Sequence, residues 1–485
     1  MNWYQPNISM VNTVGDDNTL AGLARQRIKG KPFTVTEYEH PAPNYHGAES
    51  PLLLAAYAGL QDWDGLWLFA YGPGNDMLPM GYVRGFFELA QHPGKMANLL
   101  LAANLFRRGD VRAAVQEVSL ALSPEHELDL LQNTRPWNLF SSSQLGVPAG
   151  LAFTNRLSTS VGVNAAGLTN PPAAPAGSVL ASDTGELRWN LGQASQGLVT
   201  LDTSRTKALI GFADNRPVTL GGLTLQPGAT RLGWCTLGIT LTRGEVFTND
   251  CSALVVASGW CENTGQIWTD TTKTSVGNQW GHAPVLTEVV PFTLTLPVGT
   301  NYVQVWSLDE RGQRKAALAV TGNGTSTILT VTTNASSIWY EVNVARWMAS
   351  FDLWRARYFT ADEQANPALS GEAATPYGDG VPNLLKYYLG LPGRAPAPPG
   401  SPPTGSLLPL SDQLYLALSY NRDKLVKDVN CAPQVSPNLA NWFSGTGFTR
   451  LERTLDLGSI ERLTMRDLTP VGSSPQRFMR LWLAR

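Results

Sequence analysis

The stretch that constrains this chain most is residues 31–72, KPFTVTEYEHPAPNYHGAESPLLLAAYAGLQDWDGLWLFAYG. A short apolar run over 32–36 delivers two acids, Glu37 and Glu39, into a Pro-rich turn. A helical pattern follows over 48–60, with Leu52, Leu53, Ala56 and Leu60 on one face. A second apolar run, rich in Trp and Phe, fills 65–71. Strand, loop, helix and strand make a βαβ unit, with strands apolar on both faces as in a covered parallel sheet. Chemistry in such sheets sits at the carboxyl ends of the strands, and Glu37 stands at one of them.

The flanks extend this unit. Residues 8–12 read as a strand end, and 16–28 as a helix capped by Asp17 or Asn18, with Leu20, Leu23, Ala24 and Ile28 as its apolar face. A longer helical pattern runs over 80–108 and breaks at Pro93. Three parallel strands cannot close a barrel and leave both sheet edges open. The opening therefore reads as the tail end of a (β/α)8 barrel. Its exposed pairing groups and apolar faces predict that it docks on the strands that follow or self-associates.

After Gly109 the texture changes. Residues 111–120 alternate imperfectly, and from Gly150 onward short apolar runs recur about every ten residues, punctuated by Gly, Pro and Asn. Runs at 187–190, 198–201, 206–212, 237–242, 253–258, 292–296, 302–307 and 326–332 predict an antiparallel sandwich, with 169–176, TNPPAAPA, as a loop within it. The 46 Gly, 33 Pro and 15 Trp suit such a chain. Helix returns over 347–390, a Pro-rich spacer fills 395–406, and the last 80 residues read as a small β-sandwich.

Residues 10–72 resemble the last part of a clan A glycoside hydrolase barrel, the clan of many cellulases, mannanases and agarases. Thr36-Glu37-Tyr38 matches the Thr-Glu-aromatic end of that clan's strand seven, and the resemblance implies that Glu37 is the nucleophile. An aromatic residue on strand eight commonly floors the sugar subsite there, which makes Trp67, Phe69 and Tyr71 candidates. Tyr38, Glu39 and His40 join Trp67 and Tyr71 as substrate-binding candidates. The departure is the general acid. The clan carries it as a Glu at the end of strand four, and this sequence has no strand four. Retaining hydrolysis needs two carboxylates about 5–5.5 Å apart, of which the chain supplies one. Glu39 shares a strand face with Glu37, roughly 6.5–7 Å along the chain, but His40 and Pro41 turn the backbone there. Trp63 reads as packing between helix and strand, and Asp62 and Asp64 as turn chemistry.

The runs SDTGELRWN, GLVTLDTSRTKALIGF and GWCENTGQIW resemble the β-domain that follows the barrel in the same hydrolase group. Its loop residues Trp260, Glu262, Asn263 and Trp268 are candidates for glycan contact. The segment TPYGDGVPNLLKYYLGL resembles one common near the C-termini of large secreted bacterial proteins, where an Asp-x-Asp-Gly turn precedes a helix and its oxygens can bind Ca²⁺. Here Tyr377 stands where an Asp is usual, leaving Asp379 and Asn383, while Gly380 and Pro382 cap and start the helix. No metal and no cofactor is expected.

The expected fold is mixed and mainly β. It comprises a partial (β/α)8-type barrel segment over 1–110, a β-sandwich domain over 111–345, a short helical segment with the DGVPN turn over 346–394, a Pro-rich linker over 395–406 and a C-terminal β-sandwich module over 407–485. Few charges (15%) and a net charge of −2 exclude nucleic acid and anionic membranes as partners. No apolar run approaches a membrane span. The opening residues lack a signal peptide, so the protein is either cytoplasmic or begins downstream of its ancestor's start. The hydrolase resemblance favours a secreted or periplasmic location. Export predicts one disulfide among Cys235, Cys251 and Cys261, with Cys431 apart. The expected function is that of a glycoside hydrolase-related protein acting on or binding a plant- or algal-type polysaccharide, by a retaining mechanism where active. The alternative is a non-catalytic carbohydrate-binding or scaffold protein. A homo-oligomer or a complementing barrel fragment is the expected protein partner.

Overall fold

A computed structural model describes residues 4–15, 18–72, 80–133, 141–162, 177–192, 195–344, 350–457 and 460–485. The chain forms two units, Met1–Val344 and Ala345–Arg485. Both are mainly β, and no sheet closes into a barrel among the described residues. The Pro-rich run over 169–176 and the cap candidate Asp17 lie outside the described residues.

The first unit opens with helix α1, Thr19–Gln26, whose cap Asn18 accepts a hydrogen bond from the Leu20 N–H. Strand β1, Thr34–Tyr38, helix α2, Ser50–Gln61, and strand β2, Gly65–Leu68, follow, and the two strands pair in parallel. Helix α2 is buried on every side rather than along one stripe, as its Leu- and Ala-rich sequence allows. Residues 8–12 differ from the expected strand end. They form a 3-10 turn at Met10–Asn12, capped by Ser9. The helix expected over 80–108 is shorter. Helix α3 spans Pro93–Phe106, with His92 as its cap, so Pro93 starts the helix instead of breaking one. Strand β3, Glu117–Leu122, helix α4, Pro124–Asn133, and strand β4, Arg156–Val161, come next, with β3 and β4 parallel and Ile28 bridging to Thr159.

The remaining strands of this unit fall close to the alternating runs. They are β5 Val179–Ala181, β6 Leu187–Asn190, β7 Leu198–Asp202, β8 Thr206–Gly211, β9 Val218–Leu220 and β10 Leu223–Pro227. Then come β11 Cys235–Arg243, β12 Cys251–Ser258, β13 Cys261–Thr264, β14 His282–Thr287 and β15 Phe292–Leu296. The last are β16 Val303–Leu308, β17 Arg314–Leu318, β18 Val320–Gly322, β19 Thr327–Val331 and β20 Trp339–Val344. One sheet has nine strands in the order β17-β16-β20-β12-β11-β8-β7-β6-β5, and another has five, β18-β19-β15-β10-β9. β13 and β14 form a separate pair.

The nine-stranded sheet is the middle layer. Ala208, Ile210, Leu254 and Val256 point into one core, shared with α2 and α3. Their neighbours Leu209, Ala253 and Val255 point into a second core, against Leu225, Leu294 and Leu329 of the five-stranded sheet. Strands covered on both faces read as continuous apolar runs, as the 253–257 stretch of β12 does. Helix α3 lies on β11 and β12, where Gly238 makes room for it. A Cβ at Gly238 would stand 2.6 Å from the Leu101 side chain. The amides of Asn98 and Asn104 donate to the Thr236 and Thr240 hydroxyls, each at 3.0 Å. The N-terminal segment thus docks on the sheets that follow it.

All four cysteines are free thiols, so the expected disulfide is not formed. Cys235 and Cys251 begin adjacent antiparallel strands and stand at opposite ends of the pair. The Cys261 thiol faces the Thr287 hydroxyl at 3.2 Å.

Among the described residues the second unit begins with four short helices, α5 Phe351–Tyr358, α6 Ala361–Gln364, α7 Pro367–Ser370 and α8 Asn383–Tyr388. Strands β21 Thr404–Leu410, β22 Gln413–Asp423, β25 Thr449–Asp456 and β26 Ile460–Pro470 form one sheet. Strands β23 Asn430–Ser436, β24 Phe443–Ser444 and β27 Phe478–Ala484 form another. Phe351, Trp354 and Tyr387 pack with Leu418 and Leu463 in its core. In the turn before α8 a cation of the chain itself meets Asp379. The wholly buried Lys386 ammonium donates to Asp379 Oδ2 at 2.7 Å and to the Ala395 carbonyl at 2.9 Å, with the Tyr377 ring 5.0 Å away. The Asn383 amide donates to the Leu369 and Gly371 carbonyls.

Candidate functional site

Strand β1 carries a bulge between Val35, which pairs with Leu66, and Tyr38, which pairs with Leu68. The extra residue resets the alternation, so that Val35 and Tyr38 both face the core while Thr36 and Glu37 are both exposed. The Glu37 carboxylate has no hydrogen-bond or ion-pair partner among the described residues. Beside it on β2, Trp67 is 56% exposed, and its ring lies against Gly65, where a Cβ would meet the ring at 2.5 Å. A side chain at position 65 would lift the indole off the sheet. Tyr71 is 58% exposed, and Phe69 is partly bare with its ring 5.7 Å from Phe87. The strand expected over 65–71 ends at Leu68, so that Trp67 on β2 and Phe69 and Tyr71 beyond its end are the aromatics that offer open faces.

Glu37 lines a cavity of about 500 Å³, whose wall also includes Tyr38, Glu39, His40, Asn44 and Glu49 and the N-terminal residues Pro6 and Ile8. That volume suits a small ligand such as one or two sugar units. Its wall is a connected polar cluster. Glu49, fully buried, accepts from the Ser9 hydroxyl at 2.5 Å and the Met10 N–H at 2.6 Å, and its other neighbour is His40 Nδ1 at 3.4 Å. His40 Nε2 lies 2.8 Å from the Tyr38 hydroxyl. Glu39 Oε1 takes the His40 N–H at 2.8 Å, the Ser50 hydroxyl at 3.0 Å and the Lys95 ammonium at 3.1 Å. Lys95 also donates to the His40 carbonyl at 2.7 Å. Burial pushes the Lys95 ammonium down, against the pull of Glu39. Burial first, then the charges of Glu49 and Glu39, push the Tyr38 phenol well up, so it remains a neutral donor.

Glu37, Tyr38, Glu39 and His40 thus meet at one cavity, but in different roles. Glu37 is free, while Tyr38, Glu39 and His40 are bound into the wall. Trp260 and Trp268 do not line this cavity. Trp260 is 8% exposed and covered by the Arg231 guanidinium at 3.8 Å. The Trp268 indole N–H donates to the Tyr45 hydroxyl at 2.8 Å, and that hydroxyl donates to Glu262 at 2.6 Å. These residues tie β13 and the loop after it to the turn between β1 and α2. Asn263 binds the Val83 backbone through both ends of its amide. Sequence reasoning missed Glu49, Lys95 and Ser9. The legible signal was a charge in the first turn of an otherwise apolar helix, Lys95, and an acid just before another, Glu49.

No protein-family model, curated protein or solved structure matches the chain. Among the described residues no group of three or more His, Cys, Asp or Glu is placed to hold a metal ion.

Proposed function

We propose that this chain is a glycoside hydrolase-related protein that binds a plant- or algal-type polysaccharide along the open face of β1 and β2. The observation that carries the reading is the unpaired, exposed Glu37 carboxylate at the carboxyl end of β1, beside the bare ring of Trp67 and at the mouth of a sugar-sized cavity. Aromatic rings stack on the apolar faces of sugars, and a nearby carboxylate accepts their hydroxyls. The parallel β1–α2–β2 unit, covered by helices on one face and open on the other, supports an origin in a (β/α)8 barrel. The two packed sheets that follow read as the sandwich domain of such an enzyme.

In this reading Glu37 is the nucleophile of a retaining mechanism. It attacks the anomeric carbon as the glycosidic bond breaks, and water then opens the glycosyl-enzyme. The leaving oxygen needs a proton from a second carboxyl group about 5–5.5 Å from the first. Glu39 and Glu49 are held by internal donors and do not serve. The general acid therefore comes from a complementing barrel fragment or a second copy, and the chain alone binds without cleaving. The same internal pairing of Glu39 and Glu49 favours a second reading, a purely carbohydrate-binding or scaffold protein. A secreted or periplasmic location belongs to both readings, since polysaccharides are met outside the cell. No helix among the described residues is long and apolar enough to cross a membrane.

The test is a polysaccharide panel scored for pull-down and hydrolysis together, on wild type, Trp67→Ala and Glu37→Gln. Pull-down that is lost in Trp67→Ala supports the reading. Hydrolysis by wild type that persists in Glu37→Gln removes Glu37 from the role of nucleophile.

A further inference from the structure

The cavity beside Glu37 has a charge pattern that glycan binding by itself does not require. Most polar groups on its wall are satisfied from within the protein. Both ring nitrogens of His40 have neighbours, and Glu49 is held at both oxygens. Asn44 donates to the Ile8 carbonyl and accepts from the His46 N–H. Among the described residues one charged group on the wall stays open to solvent, the Glu37 carboxylate, which is an acceptor. Glu39 Oε2 has no hydrogen-bond partner but is closed off from solvent, on a side chain only 1% exposed and paired with Lys95. No described Lys or Arg lines the cavity.

An exposed carboxylate left unpaired is satisfied by an O–H or N–H donor, and a site lacking cations gives an anion nothing to pair with. We infer that the cavity takes an uncharged, hydroxyl-rich sugar unit and rejects acidic sugars, a selectivity that rests on the glycan-binding reading above. Sugar hydroxyls donate to Glu37. A uronate carboxylate or sulfate ester in the same place meets that carboxylate and no described cation. Specificity of this kind comes from a repulsive element aimed at the wrong ligand, and Glu37 is that element.

Affinity electrophoresis of the full chain through gels containing galactomannan, agarose or polygalacturonate tests this. The expected result is retardation by a neutral polysaccharide, with polygalacturonate at least roughly tenfold weaker at about 20 mM salt. The gap narrows at about 500 mM salt, where exposed charges are screened. Glu37→Gln raises the ratio of polygalacturonate to neutral binding at low salt. Polygalacturonate retardation equal to that of the neutral polymers, or a ratio unmoved by Glu37→Gln, overturns the inference and leaves the glycan reading standing. No retardation by any polymer overturns the glycan reading and the inference with it.

Discussion

Replacing Lys95 by Met tests the polar cluster that shapes the cavity wall. Lys95 is wholly buried, and its ammonium holds Glu39 Oε1 at 3.1 Å and the His40 carbonyl at 2.7 Å. Met fills a similar volume but leaves a buried carboxylate without its counter-charge and a carbonyl without its donor. Breaking a buried pair by removing one partner costs about 3–5 kcal/mol. The Ser50 hydroxyl and His40 N–H still bind Glu39, which places the expected loss near the lower end, about 3 kcal/mol. Lys95→Met with Glu39→Gln removes both charges and recovers at least half of that loss, a coupling a double-mutant cycle reads directly. Urea denaturation with hydrogen exchange followed on α3 is the assay, because it isolates the first unit from the second. A Lys95→Met variant within about 1 kcal/mol of wild type, or a double variant no better than the single, would refute the claim that this pair organises the cavity.

Two further outcomes are expected. Gly238→Ala puts a Cβ at 2.6 Å from Leu101 and 3.0 Å from Ala208, and this overpacking under α3 should cost about 1–3 kcal/mol in thermal unfolding. An unchanged melting temperature would show that the helix is free to shift. In the second unit, burial tends to raise the Asp379 carboxyl. The hydrogen bonds from Lys386, Ala397 and Val381 outweigh it and hold the group at about 2 against an ordinary 3.8. A folded value below the unfolded one means that the stabilisation is complete above pH 3.8 and is lost as pH falls through about 2. Urea midpoints of this unit should therefore fall between those pH values. Lys386→Met should flatten that fall, and an equally steep fall in the variant would contradict the pairing.

The strands after Gly150 were legible because period and punctuation are local signals. Phe292–Leu296 and Leu187–Asn190 fall on the runs that announced them. That β8 and β12 are covered on both faces was not legible, since it depends on α3 returning to lie on them. The 80–108 pattern failed at its first half because composition there is helix-compatible while the backbone is spent on contacts. Val83 N–H and carbonyl bind Asn263, and Ala42 N–H binds the Phe86 carbonyl. Glu37 could be placed at a strand end because apolar runs and turn residues are visible in the βαβ pattern, whereas the exposure of Trp67 was not legible in it. The roles of Glu39 and His40 were not legible either. They follow from Glu49 and Lys95, brought in from different helix starts, and from a bulge that shifts the alternation of β1 by one residue.

The most direct measurement is the affinity of the full chain for soluble neutral polysaccharide, for wild type against Trp67→Ala. Trp67 makes no side-chain hydrogen bond among the described residues, and the residue is more than half exposed. Its loss should therefore leave folding intact while removing a stacking platform worth about 1–1.5 kcal/mol, a five- to tenfold weakening. Binding by wild type and that weakening in Trp67→Ala, with unchanged thermal unfolding, are the expected results. Equal affinity in the two proteins, or no binding by wild type to any neutral glycan, would contradict the claim that the face of β1 and β2 is a glycan site.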